Sequence, residues 1–466
     1  MTPQIPPRAR RSRSVRPSIG PSPSTARPSV RSSPAPSQAP PPSPAPLRHD
    51  SLALALVTLA LTFGCVDDTT ASANAGAGQA SGSRALLVVG GDYQTSVLSR
   101  VDVDSEAVVA PGFLHSGSSV GATGTAFSGD VVVGTVADGS GDALALDRGR
   151  GVLTRLHGLE VKGQFDVAPG FFGNPQDALA VAGEVWVARG QRAAAGAGTE
   201  AEGDDVIALD ASGHRTGRLD LASEATIAGH LAMAGAGAWD GQRWWLPLAS
   251  IRDDFQAVGP GRIVAIGRAD GRDGATLVVR ARADLPGLRN CRAVRRAATA
   301  AAAGAAGLLV VGCSGSFAGT PAEQLAGSGV AVVRADGAAI ERVISAQDIG
   351  QRPLGFALAV AAARPVAWVV DLGDLEAGSV DRLWQLDLAS GKATLIRAGA
   401  GAFSLVTLWH DDVRARLWAV DHGDLAGDLA ILDSAPALAA EGAAALFVRK
   451  LPSNPGGLRA LEVGPW

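Results

Sequence analysis

The stretch PVAWVVDLGDLEAGSVDRLWQLDLASGKATLI, residues 365–396, reads as three short strands in a row. VAWVV (366–370) is a compact aliphatic run carrying a Trp, and DLGDLEAGSVD (371–381) is a Gly/Asp loop. RLWQLD (382–387) ends on Leu-Asp before the turn residues ASGK, and ATLI (393–396) returns. Short runs rich in Val, Leu and Trp, punctuated by Gly, Asp and Ser, are the signature of antiparallel strands joined by turns, not of helices.

Moving outward from this unit, the same order recurs. The expected second strands are 85–89, 130–134, 184–188, 243–247, 307–311, 366–370 and 416–420. The expected third strands are 99–103, 144–147, 207–210, 264–267, 331–334, 384–387 and 430–433. Seven repeats of four strands predict an all-β, seven-bladed β-propeller, with small residues near the crowded axis and both faces of each blade buried. The first repeat opens directly on its second strand, whereas the last is complete by LFVRKL (446–451) and the chain continues into PGGLRALEVG. Residues 457–463 are therefore expected to supply the inner strand of blade one and close the ring, removing an exposed sheet edge.

This unit resembles the repeat of the seven-bladed propellers of the YVTN and quinoprotein-dehydrogenase-like superfamily, with 365–396 as the copy most like it. The resemblance covers about residues 84–464 and implies the fold.

Ahead of the repeats, LALALVTLALTFGC (52–65) is one apolar run ending on one of three cysteines. It is too short to span a bilayer, but it matches the core of an export signal. Leu61-Thr62-Phe63-Gly64 before Cys65 resembles the lipobox of bacterial lipoproteins, which implies a lipid on Cys65 and an outer-membrane location, because Val66 follows. Cleavage near residues 71–73 would instead leave a periplasmic or secreted protein. The expected organisation is a disordered Pro/Ser/Arg-rich tail or misassigned start (1–46), a signal peptide (47–64), a small polar tether (65–83) and the propeller (84–464).

Charge narrows the function. The chain carries 41 Lys and Arg against 45 Asp and Glu, but eight of those Arg and no acid fall in residues 1–49. The repeats are accordingly acidic and lack a basic stripe, which excludes nucleic-acid binding. A monomer held at the membrane by its lipid and meeting a protein or envelope ligand is the expected partnership.

Cys291 and Cys313 lie symmetrically about residue 302, in an Ala-rich connector between the first and second strands of blade five. A hairpin folded there sets the two cysteines opposite each other, and in an exported chain this predicts a disulfide.

The longest insertions fall between second and third strands, which in a propeller emerge on one face with the connections between blades. Asp92, Asp204, Asp205, Asp253, Asp254, Asp371, Asp374, Asp421 and Asp424 gather there. The paired DLGD and DHGD (Asp371, Asp374, Asp421, Asp424) could offer carboxylates to calcium, though Asp and Gly are also what tight turns want, so no cofactor is expected. Asp92, Asp253, Asp254, His422 and Trp244 are the candidate binding-face residues, Trp244 because it points opposite to Trp245. His230, His410 and His422 are weak catalytic candidates, and no HExxH, GxSxG, P-loop or CxxC occurs. With inner strands such as DALAVAG (177–183) and GFALAV (355–360) mostly apolar or small, the expectation is a noncatalytic binding module using its loop face. The alternative is a propeller enzyme of the lactonase or quinoprotein type, with a metal or quinone at the axis.

Overall fold

A computed structural model describes residues 84–466 apart from 93, 119–123, 195–201, 254, 256–257, 270–275, 298–306, 363, 425–426, 441 and 454–458. Cys65 and the tail, signal and tether expected around it lie outside the described residues. Seven antiparallel sheets follow one another around an axis. Their inner strands, in blade order, are Arg459–Pro465, Val131–Val133, Pro175–Val181, Ala238–Trp239, Cys291–Ala297, Leu354–Val360 and Leu405–Asp411. The C-terminal strand pairs antiparallel with Ala85–Gly91, two residues further on than the sequence suggests, and closes the ring. Among the described residues no helix is long and apolar enough to cross a membrane.

The hairpin of blade three shows how local chemistry sets these turns. Val181 pairs with Glu184, and Ala182 and Gly183 between them both take positive φ, 51° and 81°. This is the two-residue turn whose twist matches that of the flanking strands.

Blade two departs from the sequence reading. DVVVG, expected as its second strand, is its inner one: Val131–Val133 pairs with Asp142–Asp147, so LALD stands second. The reason is that Thr135–Val136 leaves the blade to pair parallel with Pro175–Val181 of blade three, which leaves only three residues at the axis. Gly134 permits the crossing, since a Cβ there would sit 2.8 Å from the Ala178 carbonyl oxygen.

Packing runs between blades. Trp186 and Trp244 lie in one apolar cluster between blades three and four, and Trp245 lies in the next, with Val294 and Val311 of blade five. Trp244 is therefore fully buried, not exposed: in a ring of sheets both faces of a second strand meet a neighbour, so pointing opposite to Trp245 leads into another core. Each such fully buried side chain contributes about 1.5–3 kcal/mol.

Polar staples join the blades on the loop face. Near the start of the third strand in four blades stands a buried Asp or Ser that accepts hydrogen bonds from the chain leading into the next blade. Asp204 accepts from the N–H groups of Ala232 and Met233, both at 3.0 Å. Ser328 Oγ accepts from Leu354 N–H at 2.8 Å, and Asp428 from Ser453 N–H at 2.9 Å. Asp381 takes three, from Gly373 (2.7 Å), Phe403 (3.0 Å) and Leu405 (2.9 Å). Each satisfies backbone donors that the turn between sheets would otherwise orphan.

Candidate functional site

The inner strands enclose an axial cavity of about 540 Å³, to which all seven blades contribute wall. Each inner strand begins at the end of this tunnel surrounded by the interblade connections and the loops between second and third strands. Exposed Phe172, Phe255, Phe317, Leu375 and Phe403 all lie in those loops and connections.

At that end the ladders are irregular. Cys291 pairs with Cys313, but Ala293 pairs with Gly312, so Arg292 is an extra residue on its strand. Gln176 is likewise passed over between Pro175 and Asp177 in blade three, and Val406 between Leu405 and Thr407 in blade seven. In blade six the break spans the residues between Leu354 and Leu358, Phe356 among them. Bulges re-aim side chains, and here four of them line the cavity.

The re-aimed groups meet. Arg292 Nη2 donates to Gln176 Oε1, and its guanidinium carbon stands 5.9 Å from the Phe356 ring centre. Blade four makes room: Gly235 and Gly237 carry no side chain, Ala236 pairs in parallel with Ala293, and a Cβ on Gly235 would fall 2.2 Å from the Arg292 carbonyl oxygen.

Around this contact lie more charges. Asp177 Oδ2 accepts from Gly237 N–H at 2.6 Å. Burial pushes its carboxyl up to about 6, against that hydrogen bond and the positive charge of Arg295. Burial likewise pushes Glu462 up to about 7, against Arg295, Arg148 and the Thr407 hydroxyl. Burial, with Arg148 nearby, pushes the Arg292 guanidinium down to about 10. Arg148 is tied at Nε to Asp130 Oδ1 at 2.8 Å, and Arg295 Nη1 donates to the Val294 carbonyl at 3.0 Å. Burial pushes both carboxyls toward their neutral forms, which weakens their opposition to Arg292 and Arg295 in the tunnel, while Arg148 is paired with Asp130.

The expectation that the inner strands are mostly apolar or small is thus corrected. DALAVAG begins on Asp177 and GFALAV contains the large Phe356, while Arg292, Arg295 and Glu462 stand inside inner strands that line the cavity. Their signal is present in the sequence as Arg292 and Arg295 inside CRAVRRA and Glu462 inside RALEV, where charges interrupt apolar strands.

The residues expected from the sequence are dispersed. Asp92 Oδ1 caps its own turn, accepting from Gln94 N–H (3.0 Å) and Thr95 N–H (2.7 Å), which lower its pKa. Asp253 is exposed, Asp254 and the Asp424 side chain lie outside the described residues, and His422 is buried. Asp371 is fully buried between Arg382, Arg352 and the Trp384 indole N–H (2.8 Å). Asp421 faces Arg397 (3.0 Å) and Lys450 (3.2 Å), while Asp374 caps Glu376 N–H at 2.8 Å. Among the described residues no group of three or more His, Cys, Asp or Glu is arranged to hold a metal. His410 stacks on Trp368 with ring centres 4.8 Å apart and meets Ser434 Oγ at 2.8 Å, and His230 Nδ1 lies 2.9 Å from the Ser250 carbonyl oxygen. Cys291 and Cys313 form the expected disulfide.

No protein-family description matches the chain, and no curated protein matches it. Among solved structures it is similar to a Bacteroides fragilis protein assigned as a 6-phosphogluconolactonase, at 8% identity and a TM-score of 0.53, over 84% of this chain and 100% of the other. It is also similar to the periplasmic gluconolactonase of Pseudomonas aeruginosa (13% identity, TM-score 0.48, 82% and 99%). Apo AztD of Citrobacter koseri gives 12% identity and a TM-score of 0.44, over 82% and 98%. At 8% identity the likeness to the Bacteroides fragilis protein speaks for the propeller fold alone.

Proposed function

We propose that this chain is an exported, lipid-anchored propeller that binds a small anionic ligand in its axial tunnel and does no chemistry on it. The observation that carries the reading is the convergence of Arg148, Arg292 and Arg295 on one cavity with Asp177 and Glu462, whose burial favours the uncharged acids. Arginines gathered on the wall of one partly buried cavity favour an anion entering it. Relative to the sequence reading, binding stays at the same face but moves from the loop aspartates to the tunnel they surround. Among them Asp92 and Asp374 serve turns, Asp205, Asp371 and Asp421 ion pairs, and Asp204 a staple between blades. Export is supported by the apolar run 52–64 and by the disulfide, which an oxidising compartment would preserve, and anchoring by Cys65. A Cys65→Ala variant is expected to leave the membrane fraction.

Titration calorimetry of the purified chain with sodium methanesulfonate at low ionic strength tests the site. Binding to one site is expected, weakened about tenfold or more in Arg295→Met. Absence of heat and of any thermal stabilisation would overturn the reading. A hydrolase is the second reading, because a carboxyl near 7, as at Glu462, is what general acid-base work requires. Turnover of a lactone with a pH profile that Glu462→Gln abolishes would replace the binding-only reading.

A further inference from the structure

Resting on the anion site, we propose that the ligand is a small molecule with an anionic head and a flat apolar body, the body held at the tunnel mouth by Phe317 and Phe356. Phe356 is half exposed although it lines the cavity, and Phe317 beside it is 54% exposed. The two rings meet edge to face, 6.1 Å between centres at 85°. Aromatic rings left open to water in a fixed pair expose apolar area that a ligand surface would cover.

The backbone that carries each ring is held in place independently of any ligand. Phe356 lies in the irregular start of its strand, beside the Arg292 guanidinium that Gln176 fixes. Phe317 belongs to the blade-five insertion, which the helix Pro321–Ala326 stiffens. Thr320 and Glu323 cap that helix reciprocally, and Gln324 Nε2 donates to the Phe317 carbonyl at 3.3 Å. Such an arrangement lowers the ordering cost of binding.

The order of groups sets the chemistry. Phe356, Arg292 and Arg295 line the cavity, Arg295 further along the same strand as Arg292, and Phe317 stands beside Phe356 on the loop that borders the tunnel end: apolar outside, cationic behind. A ligand satisfying both has an anionic end pointing down the axis and a ring or short hydrocarbon behind it. The cavity of about 540 Å³ suits a small molecule and is too small for a folded partner.

Three probes separate the ideas when titrated into the full chain: methanesulfonate, benzenesulfonate and neutral benzyl alcohol. Benzenesulfonate is expected to bind about tenfold tighter than methanesulfonate, and that ratio should collapse towards one in Phe317→Ala and Phe356→Ala. Equal affinities for the two sulfonates, or a ratio indifferent to both variants, would overturn the aromatic clamp while leaving the anion site standing. Benzyl alcohol binding as tightly as benzenesulfonate would overturn the anion site, and with it the amphiphilic ligand. Binding of none of the three would overturn both.

Discussion

Val88 of the second strand of blade one faces Val463 of the C-terminal strand, and both are buried in a cluster shared with Trp418 and Ile431 of blade seven. The last strand therefore both completes a sheet and seals the seam between the first and seventh blades. Replacing Val463 by Asp places a carboxylate where no partner exists, and is expected to cost roughly 3 kcal/mol. Val463→Ala, which leaves only a small void, should cost about 2 kcal/mol. Urea unfolding followed by Trp fluorescence distinguishes these, and equal stability of all three proteins would mean that the seam does not hold the ring.

The Cys291–Cys313 bond ties the inner two strands of blade five across 22 residues. Cys291→Ala with Cys313→Ala should lower stability by about 3 kcal/mol, the chain-entropy value for a loop of that length. Gly261 leans on this bond, since a Cβ there would lie 2.3 Å from Cys291 Sγ. Gly261→Ala should therefore destabilise the disulfide-bonded chain more than the double-Ala chain. A double-mutant cycle in urea reads that coupling, and additive losses would rule it out.

Asp381 offers the sharpest test of the staples between blades. Its carboxylate accepts N–H groups from its own loop and from the two residues that lead into blade seven. Asp381→Ala strands those buried donors and should cost about 3 kcal/mol. Asp374→Ala removes only an exposed turn cap and should stay within about 1 kcal/mol. Comparable losses in the two variants, measured by thermal unfolding, would show that the staple is no more than a turn.

How far the sequence was legible follows from which interactions repeat. Second strands carry a compact aliphatic run, with Trp in four blades, because both of their faces are buried, and that recurrence is what makes the blade count and the closing strand readable. The disulfide was readable because hairpin symmetry is a local property, although the extra residue at Arg292 shifts the remainder of that ladder by one. Blade two was misread because three consecutive Val look alike at the axis and one strand out, and only the crossing at Gly134 separates the cases. The site was hidden for a deeper reason. Gln176, Arg292, Phe356 and Glu462 come from four blades, up to 286 residues apart in the chain, and nothing local signals that bulges aim three of them at one axis.

The tunnel carboxyls give the reading its pH dependence. The Glu462 carboxyl stands at about 7 in the fold against an ordinary 4.5, and Asp177 at about 6 against 3.8, each raised mainly by burial. Between about pH 4 and 7 the folded chain thus holds protons that the unfolded chain releases, so stability falls as pH rises through that window. The same protonation governs the ligand. Well below pH 6 both acids are mainly neutral and Arg295 and Arg292 act without them, Arg148 keeping its pair with Asp130, whereas above pH 7 Glu462 and Asp177 oppose an incoming anion. Benzenesulfonate stays ionised throughout, so its affinity should fall about tenfold from pH 5 to pH 8. Glu462→Gln should flatten most of that fall and raise affinity at pH 8 towards the pH 5 value, with Asp177 accounting for the remainder. Calorimetric titrations at four pH values read both effects, and a slope unchanged by Glu462→Gln would place the titrating group elsewhere and remove Glu462 from the site.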